Sequence, residues 1–413
     1  MKNRVLITGI GIISPVGNSI SDFWQALVSG KSGIDYIKNF DTTGFDTTFA
    51  AEVKDLDVTN HLDRKEARRM DKFCQYAVIA SQHAVDDSGL KLDQEDKERI
   101  GVIIGSGIGG METFEREYCN YFDKGPKKIS PFFIPMMIPD IAPGHISIRF
   151  GLKGPNYSTI SACASSSHAI GNAFRLIQNG EVDVMVTGGS EATVTPMGVG
   201  GFNAMKALST RNHEPQKASR PFDAERDGFV IGEGAGILVL ESEEHALNRG
   251  AKIYGEIVGA GFTADAFHIT APAPDGEGAK RAMENALRDA HISIEEVDYI
   301  NAHGTSTLFN DKIETLAIKN VFGDRAYKIP ISSTKSMIGH LLGASGSLEL
   351  IATILTIRSN KIHPTINYEV PDPECDLNYT PNKSIDKTVD IAISNSFGFG
   401  GHNVCLIAKK YPL

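Results

Sequence analysis

Apolar strand patterns alternate with helical patterns along this chain, and the alternation limits its fold more than any other feature. Short apolar runs that end in Gly or polar residues predict buried strands at residues 4–8, 100–104, 182–187 and 297–300. Helical patterns lie between them, at residues 70–87, 163–178 and 348–357. We therefore expect an α/β protein.

Two segments, 158–179 and 332–360, share one order of elements. Each runs from a strand through a polar, catalytic-looking residue into a helix of small residues, and then to a segment containing Asn. A chain of 413 residues, 41% of them hydrophobic, is long enough to bury a large core. We expect two related halves that meet near residues 250–260, an N-terminal half at 1–250 and a C-terminal half at 251–413.

Charge and composition exclude several classes of protein. The formal net charge of -10 argues against general nucleic-acid binding, which needs a clustered basic surface. Five cysteines without ligand-like spacing predict a reducing compartment and no disulfide framework. No apolar stretch approaches the roughly 20 residues that span a bilayer, and Gly9, Gly11 and Pro15 make the apolar start a first strand and not a signal peptide. We expect a cytoplasmic protein with no membrane partner.

Cys163 heads a segment of small residues, 161–167, between a predicted strand and a predicted helix. A thiol at a helix N-terminus meets free N–H groups and the positive end of the helix dipole, which favour the thiolate. The alternative is a buried structural cysteine, the usual state of this residue. The other cysteines lack this setting and are interpreted as structural: Cys74, Cys119, Cys375 and Cys405.

Two histidines stand in polar, glycine-containing segments far along the chain. His303 is followed by Gly304 and three hydroxyl residues, and His340 follows Gly339 ahead of a small-residue helix. Neither has metal-ligand spacing to another His, Cys or carboxylate, so zinc is not expected. A thiol can hold an acyl group as a thioester, while two neutral imidazoles can donate hydrogen bonds to one developing enolate.

The segment 395–403 contains three glycines around two phenylalanines. Such glycines allow a tight turn that aims a backbone N–H into a pocket while Phe399 screens it from water. The alternative is a β-hairpin with buried aromatics. A second glycine pair, Gly9 and Gly11, suggests a dinucleotide fingerprint, but Ser14 and Pro15 stand where the third glycine is needed. An NAD oxidoreductase is therefore weakly supported.

Taken together, residues 161–167, 303–307, 335–340 and 395–403 make the chain closely similar to the elongating, type II β-ketoacyl-acyl-carrier-protein synthases. The resemblance covers essentially the whole chain. It implies a thiolase-like fold of two similar halves, with two mixed sheets in an α-β-α-β-α arrangement, and a homodimer. Thiolases use a second cysteine and initiating synthases use His and Asn, whereas this chain has two histidines.

The resemblance also implies roles for individual residues. Cys163 would accept the acyl chain from acyl carrier protein. The backbone N–H groups of Cys163 and Phe399 would form the oxyanion hole, and the reaction would need no cofactor. His303 and His340 would serve the malonyl half-reaction, and Lys335 would orient a histidine unless it is a salt-bridged structural lysine. The substrate-binding positions are Thr305, Thr307, Ile108, Phe133, Phe202, Thr270 and Phe397. A monovalent cation or water is implied at Asn301, Glu349, Ser394 and Asn395.

Three further expectations concern surface and loops. A basic face is expected to dock the carrier protein, although such runs are often only solvated helix surface: Arg64, Lys65, Arg68, Arg69, Lys127, Lys128 and Lys206. Phe399 and residues 261–274 are expected to move as the acyl chain enters. Two departures from the family pattern lack an assigned role, residues 308–310 where Pro and Gly are common, and His402 where Thr is common.

Two other functions are alternatives to a condensing enzyme. A thiolase would need a second catalytic cysteine near the C-terminus, and Cys405 is a poor candidate because it lies within a predicted strand. A non-catalytic partner subunit, as in polyketide chain-length factors, would lack the nucleophile.

Overall fold

The computed structural model describes residues 2–412, and across them strands alternate with helices as predicted. The strands are β1 (Val5–Ile13), β2 (Asp35–Tyr36), β3 (Phe49–Ala50), β4 (Ile100–Gly105), β5 (Asn156–Thr159), β6 (Val184–Glu191), β7 (Gly234–Ser242), β8 (Gly255–Ala264), β9 (Tyr299–Asn301), β10 (Ile331–Ser332), β11 (Lys361–Ile362), β12 (Ile385–Asp386), β13 (Ile391–Gly398) and β14 (His402–Lys409). The α-helices are α1 (Ile20–Val28), α2 (Arg64–Ala67), α3 (Lys72–Ser88), α4 (Met111–Lys124), α5 (Phe133–Met137), α6 (Ile141–Phe150), α7 (Ser165–Gln178), α8 (Pro196–Ala204), α9 (Glu243–Asn248), α10 (Glu277–Ala290), α11 (Leu308–Phe322), α12 (Lys335–Ile338) and α13 (Ser345–Ser359). Short 3₁₀ turns at Ala162–Ala164 and Leu342–Ala344 precede α7 and α13.

Ten strands are hydrogen-bonded in the order β10-β9-β13-β14-β8-β1-β7-β6-β4-β5. The two five-strand sets repeat one pattern. In the N-terminal set, β1, β7 and β6 pair antiparallel and β6, β4 and β5 pair parallel; β8, β14, β13, β9 and β10 do the same in the C-terminal set. Two related halves are therefore confirmed. The division at residue 250 remains our proposal. It falls between Ser242, where the last strand of the N-terminal set ends, and Gly255, where the first strand of the C-terminal set begins.

The expectation of two separate sheets needs one correction. Val5–Ile7 of β1 pairs with Gly255–Ile257 of β8, so hydrogen bonds join the two halves into one ladder. The join is only three residues long because β1 then continues along β7 and β8 along β14.

Helices α7 and α13 form the central layer, and each contacts strands of both halves. Helix α3 covers the outer face of the N-terminal strands, and α10 covers that of the C-terminal strands. This is the five-layer order that the resemblance implies. The first glycine pair belongs to this packing: a Cβ on Gly9 or Gly11 would lie 2.2 or 1.8 Å from a carbonyl oxygen of α3. No dinucleotide turn exists there, because both glycines lie within β1.

Predicted elements are confirmed with shifted ends. The strands expected at 182–187 and 297–300 begin at Val184 and Tyr299, and the helix expected from residue 163 begins at Ser165. Of the segment 261–274, which is expected to move, residues 261–264 are the end of β8, and residues 265–270 lie in neither a helix nor a strand. Within residues 2–412, no helix combines the length and the apolar character needed to cross a membrane.

Candidate active site

A cavity of about 490 Å³ opens beside the two 3₁₀ turns, where the halves meet. Within the described chain, Cys163 is the one cysteine that lines it, and His303 and His340 line it with Cys163. The structure therefore brings together the three residues that the sequence had placed in separate segments. Other predicted residues on its wall are Ile108, Phe202, Lys206, Thr270, Thr305, Thr307, Phe397 and Phe399.

Cys163 lies in the turn between β5 and α7, and His340 faces it from the other half. The two are joined by a hydrogen-bond distance of 3.0 Å between Sγ and His340 Nε2. On the other side of the ring, His340 Nδ1 lies 2.9 Å from Ser345 Oγ. A hydroxyl can donate or accept, so Ser345 supports either neutral tautomer of His340.

The expectation that Cys163 is a helix-stabilised thiolate is wrong for this conformation. Burial raises the pKa of the Cys163 thiol to about 12, and the charges of Glu191 and Glu349 act in the same direction. Lys335 and the N–H of Phe399 lower that pKa but do not outweigh burial. Helix α7 begins only at Ser165, so Cys163 lies two residues before the helix and not at its first residue. The thiol must lose its proton to a neighbouring base as it reacts.

His303 is held from one side by Lys335. The Lys335 ammonium donates to His303 Nδ1 at 3.1 Å and to the His303 carbonyl oxygen at 2.6 Å, and it forms a buried ion pair with Glu349. An ammonium can only donate, so Nδ1 is the acceptor nitrogen and Nε2 carries the proton. Lys335 therefore makes both contacts that the sequence offered as alternatives, the salt bridge and the contact with a histidine.

Both imidazoles are neutral at physiological pH. Burial and the Lys335 ammonium hold the pKa of His303 and that of His340 well below the usual range. The two rings lie 5.4 Å apart, nearly perpendicular at 85°. The pair can therefore present two N–H donors to one oxygen without carrying charge.

The backbone of the His303 turn is fixed by Glu314 of α11. Its two carboxylate oxygens accept the N–H groups of His303 and Gly304, each at 2.8 Å. Burial raises the pKa of Glu314 to about 7. This carboxylate holds the backbone and leaves the imidazole free to face the cavity.

The glycine-rich segment forms the turn of the β13–β14 hairpin, so the hairpin interpretation is correct for its backbone. The N–H of Phe399 lies close enough to the Cys163 sulfur to lower the pKa of the thiol, which agrees with its expected place beside the reacting sulfur. Gly400 N–H donates to Ile269 O at 2.7 Å, and Asp265 N–H donates to Gly401 O at 2.9 Å. These two bonds tie the turn to residues 265–275, so the two loops can move only together.

Replacing Phe399 by Ala is expected to change the kinetics of Cys163 acylation by more than it changes stability, because the half-buried ring lies at the cavity and not in the core. Rapid-quench measurement of acyl-enzyme formation, with the melting temperature as control, tests this. Unchanged acylation kinetics would contradict the expectation that Phe399 moves as the acyl chain enters.

The entrance carries the predicted pantetheine-binding hydroxyls. Thr305 Oγ1 and Thr307 Oγ1 lie 2.9 Å apart, and Thr307 is the N-cap of α11. Residues 308–310 then form the first helical turn, where Leu308 occupies the N1 position that suits Pro in many helices. Leu308 and Phe309 are 55% and 70% exposed and line the entrance.

Several predicted residues lie away from the cavity of the single chain. Phe133 is on α5, with its ring 6.5 Å from that of Phe114. The basic residues other than Lys206 do not line the cavity; Arg69 stacks on Phe132 at 4.8 Å, which places it beside the Lys127 and Lys128 segment. His402 packs against His168, with ring centroids 6.3 Å apart.

The four residues named for a monovalent cation are all buried. Three of them carry an oxygen without a hydrogen-bond partner among residues 2–412: Glu349 Oε2, Ser394 Oγ and Asn395 Oδ1. Asn301 instead donates to Thr334 Oγ1 and Glu349 O, each at 3.0 Å. Unpaired buried oxygens of this kind fit a hard monovalent cation or a water molecule, while the charge of Glu349 is already paired with Lys335. The cation remains our proposal.

Ser345, Glu191 and Phe229 were not predicted. Ser345 contacts His340, Glu191 borders Cys163, and the Phe229 ring stands edge-on to His340 at 5.2 Å. Only Ser345 had a usable signal, since it lies in the small-residue segment directly after His340. Glu191 and Phe229 come from distant parts of the sequence without a local motif.

Comparison with known protein families gives two adjacent matches. Residues 2–246 match the family described as "Beta-ketoacyl synthase, N-terminal domain", and residues 254–369 match "Beta-ketoacyl synthase, C-terminal domain". Among curated proteins, the chain is 56% identical to 3-oxoacyl-[acyl-carrier-protein] synthase 2 of Synechocystis sp. over 410 residues. It is 53% identical to the protein of the same name from Staphylococcus aureus, also over 410 residues. Each alignment covers 99% of both chains.

Solved structures with the same architecture cover the full chain. A β-ketoacyl synthase from Burkholderia phymatum superposes with a TM-score of 0.93 at 38% identity, covering 100% of both chains. A type II polyketide ketosynthase, solved with its acyl carrier protein and bound to the hexaketide, gives a TM-score of 0.93 at 36% identity and the same coverage.

Proposed function

Because the chain belongs to the β-ketoacyl synthase family, we propose that it condenses an acyl group, held as a thioester on Cys163, with malonyl-acyl-carrier-protein in fatty acid elongation. The products are β-ketoacyl-acyl-carrier-protein and carbon dioxide. The observation that carries the proposal is the contact of Cys163 Sγ with His340 Nε2, with the neutral His303 ring beside them in one cavity.

The first half-reaction is acyl transfer to Cys163. Among residues 2–412, His340 Nε2 is the one basic group within hydrogen-bond distance of the thiol, so it takes the proton as sulfur attacks the acyl carbonyl. The Phe399 N–H, which lies close to the sulfur, stabilises the tetrahedral oxyanion. Collapse breaks the bond to the carrier's thiol, which leaves with the proton from His340. The imidazole is neutral again.

The second half-reaction uses the histidines as donors. Loss of carbon dioxide breaks a carbon–carbon bond of the malonyl group and leaves an enolate, whose oxygen accepts N–H bonds from His303 Nε2 and His340 Nε2. His340 acts here as the Nε2–H tautomer, which it reaches by proton exchange with solvent and in which the Ser345 hydroxyl donates to Nδ1. The enolate carbon attacks the acyl-cysteine carbonyl, and the Cys163 thiolate leaves and takes up one proton from solvent. No electrons are exchanged with a carrier in this sequence, so it balances without a redox partner.

A direct assay tests the activity. Purified protein is incubated with long-chain acyl carrier protein and malonyl carrier protein, and the products are read by mass spectrometry and by release of carbon dioxide. We expect a β-ketoacyl product two carbons longer, with one carbon dioxide per product. Acyl transfer without carbon dioxide release would instead indicate a thiolase or simple acyltransferase.

Carrier-protein docking is proposed on the basic face. Arg64, Lys65, Arg68 and Arg69 are exposed on and after α2, and Arg68 borders the same groove as Ser130, close to the exposed Lys127 and Lys128. Lys206 lies separately at the cavity entrance. Because the whole molecule is acidic, long-range attraction to an acidic carrier must come from such a concentrated patch.

Charge reversal at Lys65 and Arg69 is expected to raise KM for acyl carrier protein several-fold, with the effect shrinking near 1 M salt, where the Debye length is about 3 Å. A small pantetheine thioester should react as before because it bypasses docking. The matched control reverses Lys280 and Arg288 on α10, which changes net charge equally on the other half. Equal losses on both substrates would place the docking face elsewhere.

A homodimer is proposed through the free edge of the sheet. β5 is the terminal strand of the ladder, and exposed apolar side chains lie along it, with Tyr157 39% and Ile160 61% exposed. An unpaired strand edge beside apolar surface is normally covered.

A cytoplasmic location is proposed as well. Across residues 2–412 all five cysteines are free thiols, and four of them are buried. This matches a reducing compartment.

A further inference from the structure

Glu191, the last residue of β6, is fully buried, and its carboxylate is bound by neutral donors. Oε1 accepts the Ser106 hydroxyl at 3.1 Å and the Ile108 N–H at 3.2 Å. Oε2 accepts the N–H groups of Gly107 at 2.6 Å and Gly343 at 3.0 Å. Burial raises the pKa of Glu191, and these donors oppose that shift. Surroundings that donate from every side match a carboxylate and exclude a side chain that must itself donate.

The donors belong to opposite halves of the molecule. Ser106, Gly107 and Ile108 follow β4 in the N-terminal half, and Gly343 lies in the 3₁₀ turn three residues after His340. Ile108 and the neighbour of Gly343, Leu342, both line the cavity. Glu191, which does not itself line the cavity, therefore links the Ile108 segment to the turn that contains Leu342.

The backbone is closely packed around the Glu191 carboxylate. A Cβ on Gly107 would lie 2.9 Å from Glu191 Oε2, and one on Gly343 would lie 2.7 Å from it and 2.2 Å from the Gly107 nitrogen. Leu342 is held at a φ of 45°, and Ala162, beside Cys163, at a φ of 50°. Non-glycine residues keep such a backbone only where their surroundings enforce it. The bond from Gly343 to Glu191 is one such constraint.

We propose that Glu191 is a positioning residue that fixes the Ile108 wall against the Leu342 turn, and thereby sets how long an acyl chain Cys163 accepts. The proposal rests on the function proposed above. Glu191 touches no reacting atom. Ile108 lines the same cavity as Cys163. Loosening the bonds of Glu191 should affect a long chain more than a short one, because a long chain fills more of the cavity and contacts more of its wall.

Glu191→Gln tests the proposal, because it keeps size while turning one acceptor oxygen into a donor that must face an N–H or O–H donor. The rates of Cys163 acylation by butanoyl and tetradecanoyl carrier protein are compared. The loss expected when one buried charge-assisted hydrogen bond becomes unpaired is about tenfold. Loss of the Glu191 charge acts on the Cys163 thiol alike for both chain lengths, so the measure is the ratio of the tetradecanoyl rate to the butanoyl rate, which should fall about tenfold.

The matched control is Glu241→Gln. Glu241 is equally buried and lies on β7 opposite Val184, at the other end of the ladder that Glu191 closes. Its partners are Thr8, His245 and Arg249, outside the cavity. This variant should lose stability without changing the ratio of the two acylation rates.

Ser106→Ala removes one donor without adding a mismatched one, and it keeps the test valid if Glu191→Gln does not fold. We expect a loss of about threefold for the long chain only. A wild-type ratio in either folded Glu191→Gln or Ser106→Ala would overturn the proposal. Failure of the wild-type protein to form any acyl-enzyme would instead overturn the proposed function.

Discussion

Cys163→Gln is expected to lose acyl transfer and condensation while still releasing carbon dioxide from malonyl carrier protein. Acyl transfer needs the sulfur, so its rate should fall below about 10⁻³ of wild type, as removal of a nucleophile does in other enzymes. Decarboxylation needs the imidazole donors, which Lys335 and Ser345 hold independently of Cys163. Cys163→Ala should likewise lose acyl transfer.

Intact-protein mass spectrometry after incubation with long-chain acyl carrier protein measures the first effect. Wild type should gain one acyl group, and both Cys163 variants should gain none. Cys119→Ala is the control, because Cys119 is an exposed thiol on α4, remote from the cavity lining. Acylation of another residue in Cys163→Ala would show that the nucleophile is elsewhere.

The sequence was sufficient to select the three residues that the structure brings together in one cavity, because each stands in a local pattern of its own. A thiol at the head of a small-residue segment and histidines beside a glycine are visible without any contact map. The repeated order of strand, turn and helix also predicted two halves. In the structure, the turns at Ala162–Ala164 and Leu342–Ala344 are equivalent, and each has a positive φ at its first residue.

The electrostatics of Cys163 could not be predicted in the same way. The sequence placed the thiol at a helix N-terminus, which favours the thiolate, and that much of the geometry is nearly correct. The turn at Ala162–Ala164, however, delays the helix and buries the sulfur beneath the second half of the molecule. Desolvation depends on everything packed around an atom, so a pattern along the chain does not report it.

Glu191 illustrates a second limit. It ends an apolar strand and has no partner near it in the sequence, since its donors come from residues 106–109 and from Gly343. Contacts between the two halves decide what such a residue does. Lys335 and Glu349 illustrate the same limit, because the sequence offered a histidine contact or a salt bridge for Lys335 and a cation for Glu349 but did not identify them as partners of each other.

His303→Ala and His340→Ala are expected to differ in one half-reaction and agree in the other. Each removes a donor to the enolate, so decarboxylation should fall about 10²–10³-fold in both. Only His340 contacts the thiol, at 3.0 Å from Nε2. Since burial raises the pKa of Cys163 to about 12, acylation should slow markedly in His340→Ala and remain within a few-fold of wild type in His303→Ala. The family resemblance assigns both histidines to the malonyl half-reaction, and the contact of His340 with the thiol leads us to expect a part in acylation for His340 as well.

Single-turnover acylation and carbon dioxide release, measured separately for each variant, decide between these assignments. The pH dependence provides a further check with a defined sign. Because the pKa of each imidazole is held well below its usual range, both remain neutral as pH falls through 6.5, and wild-type decarboxylation should not decline there through histidine protonation. A decline centred near pH 6.5 that disappears in His303→Ala would show that His303 is active only when neutral and that its pKa is not lowered, whereas a rise as pH falls would show that it works as a cation. Normal acylation by His340→Ala would show that the thiol loses its proton by another route, and His340 would then serve the enolate alone.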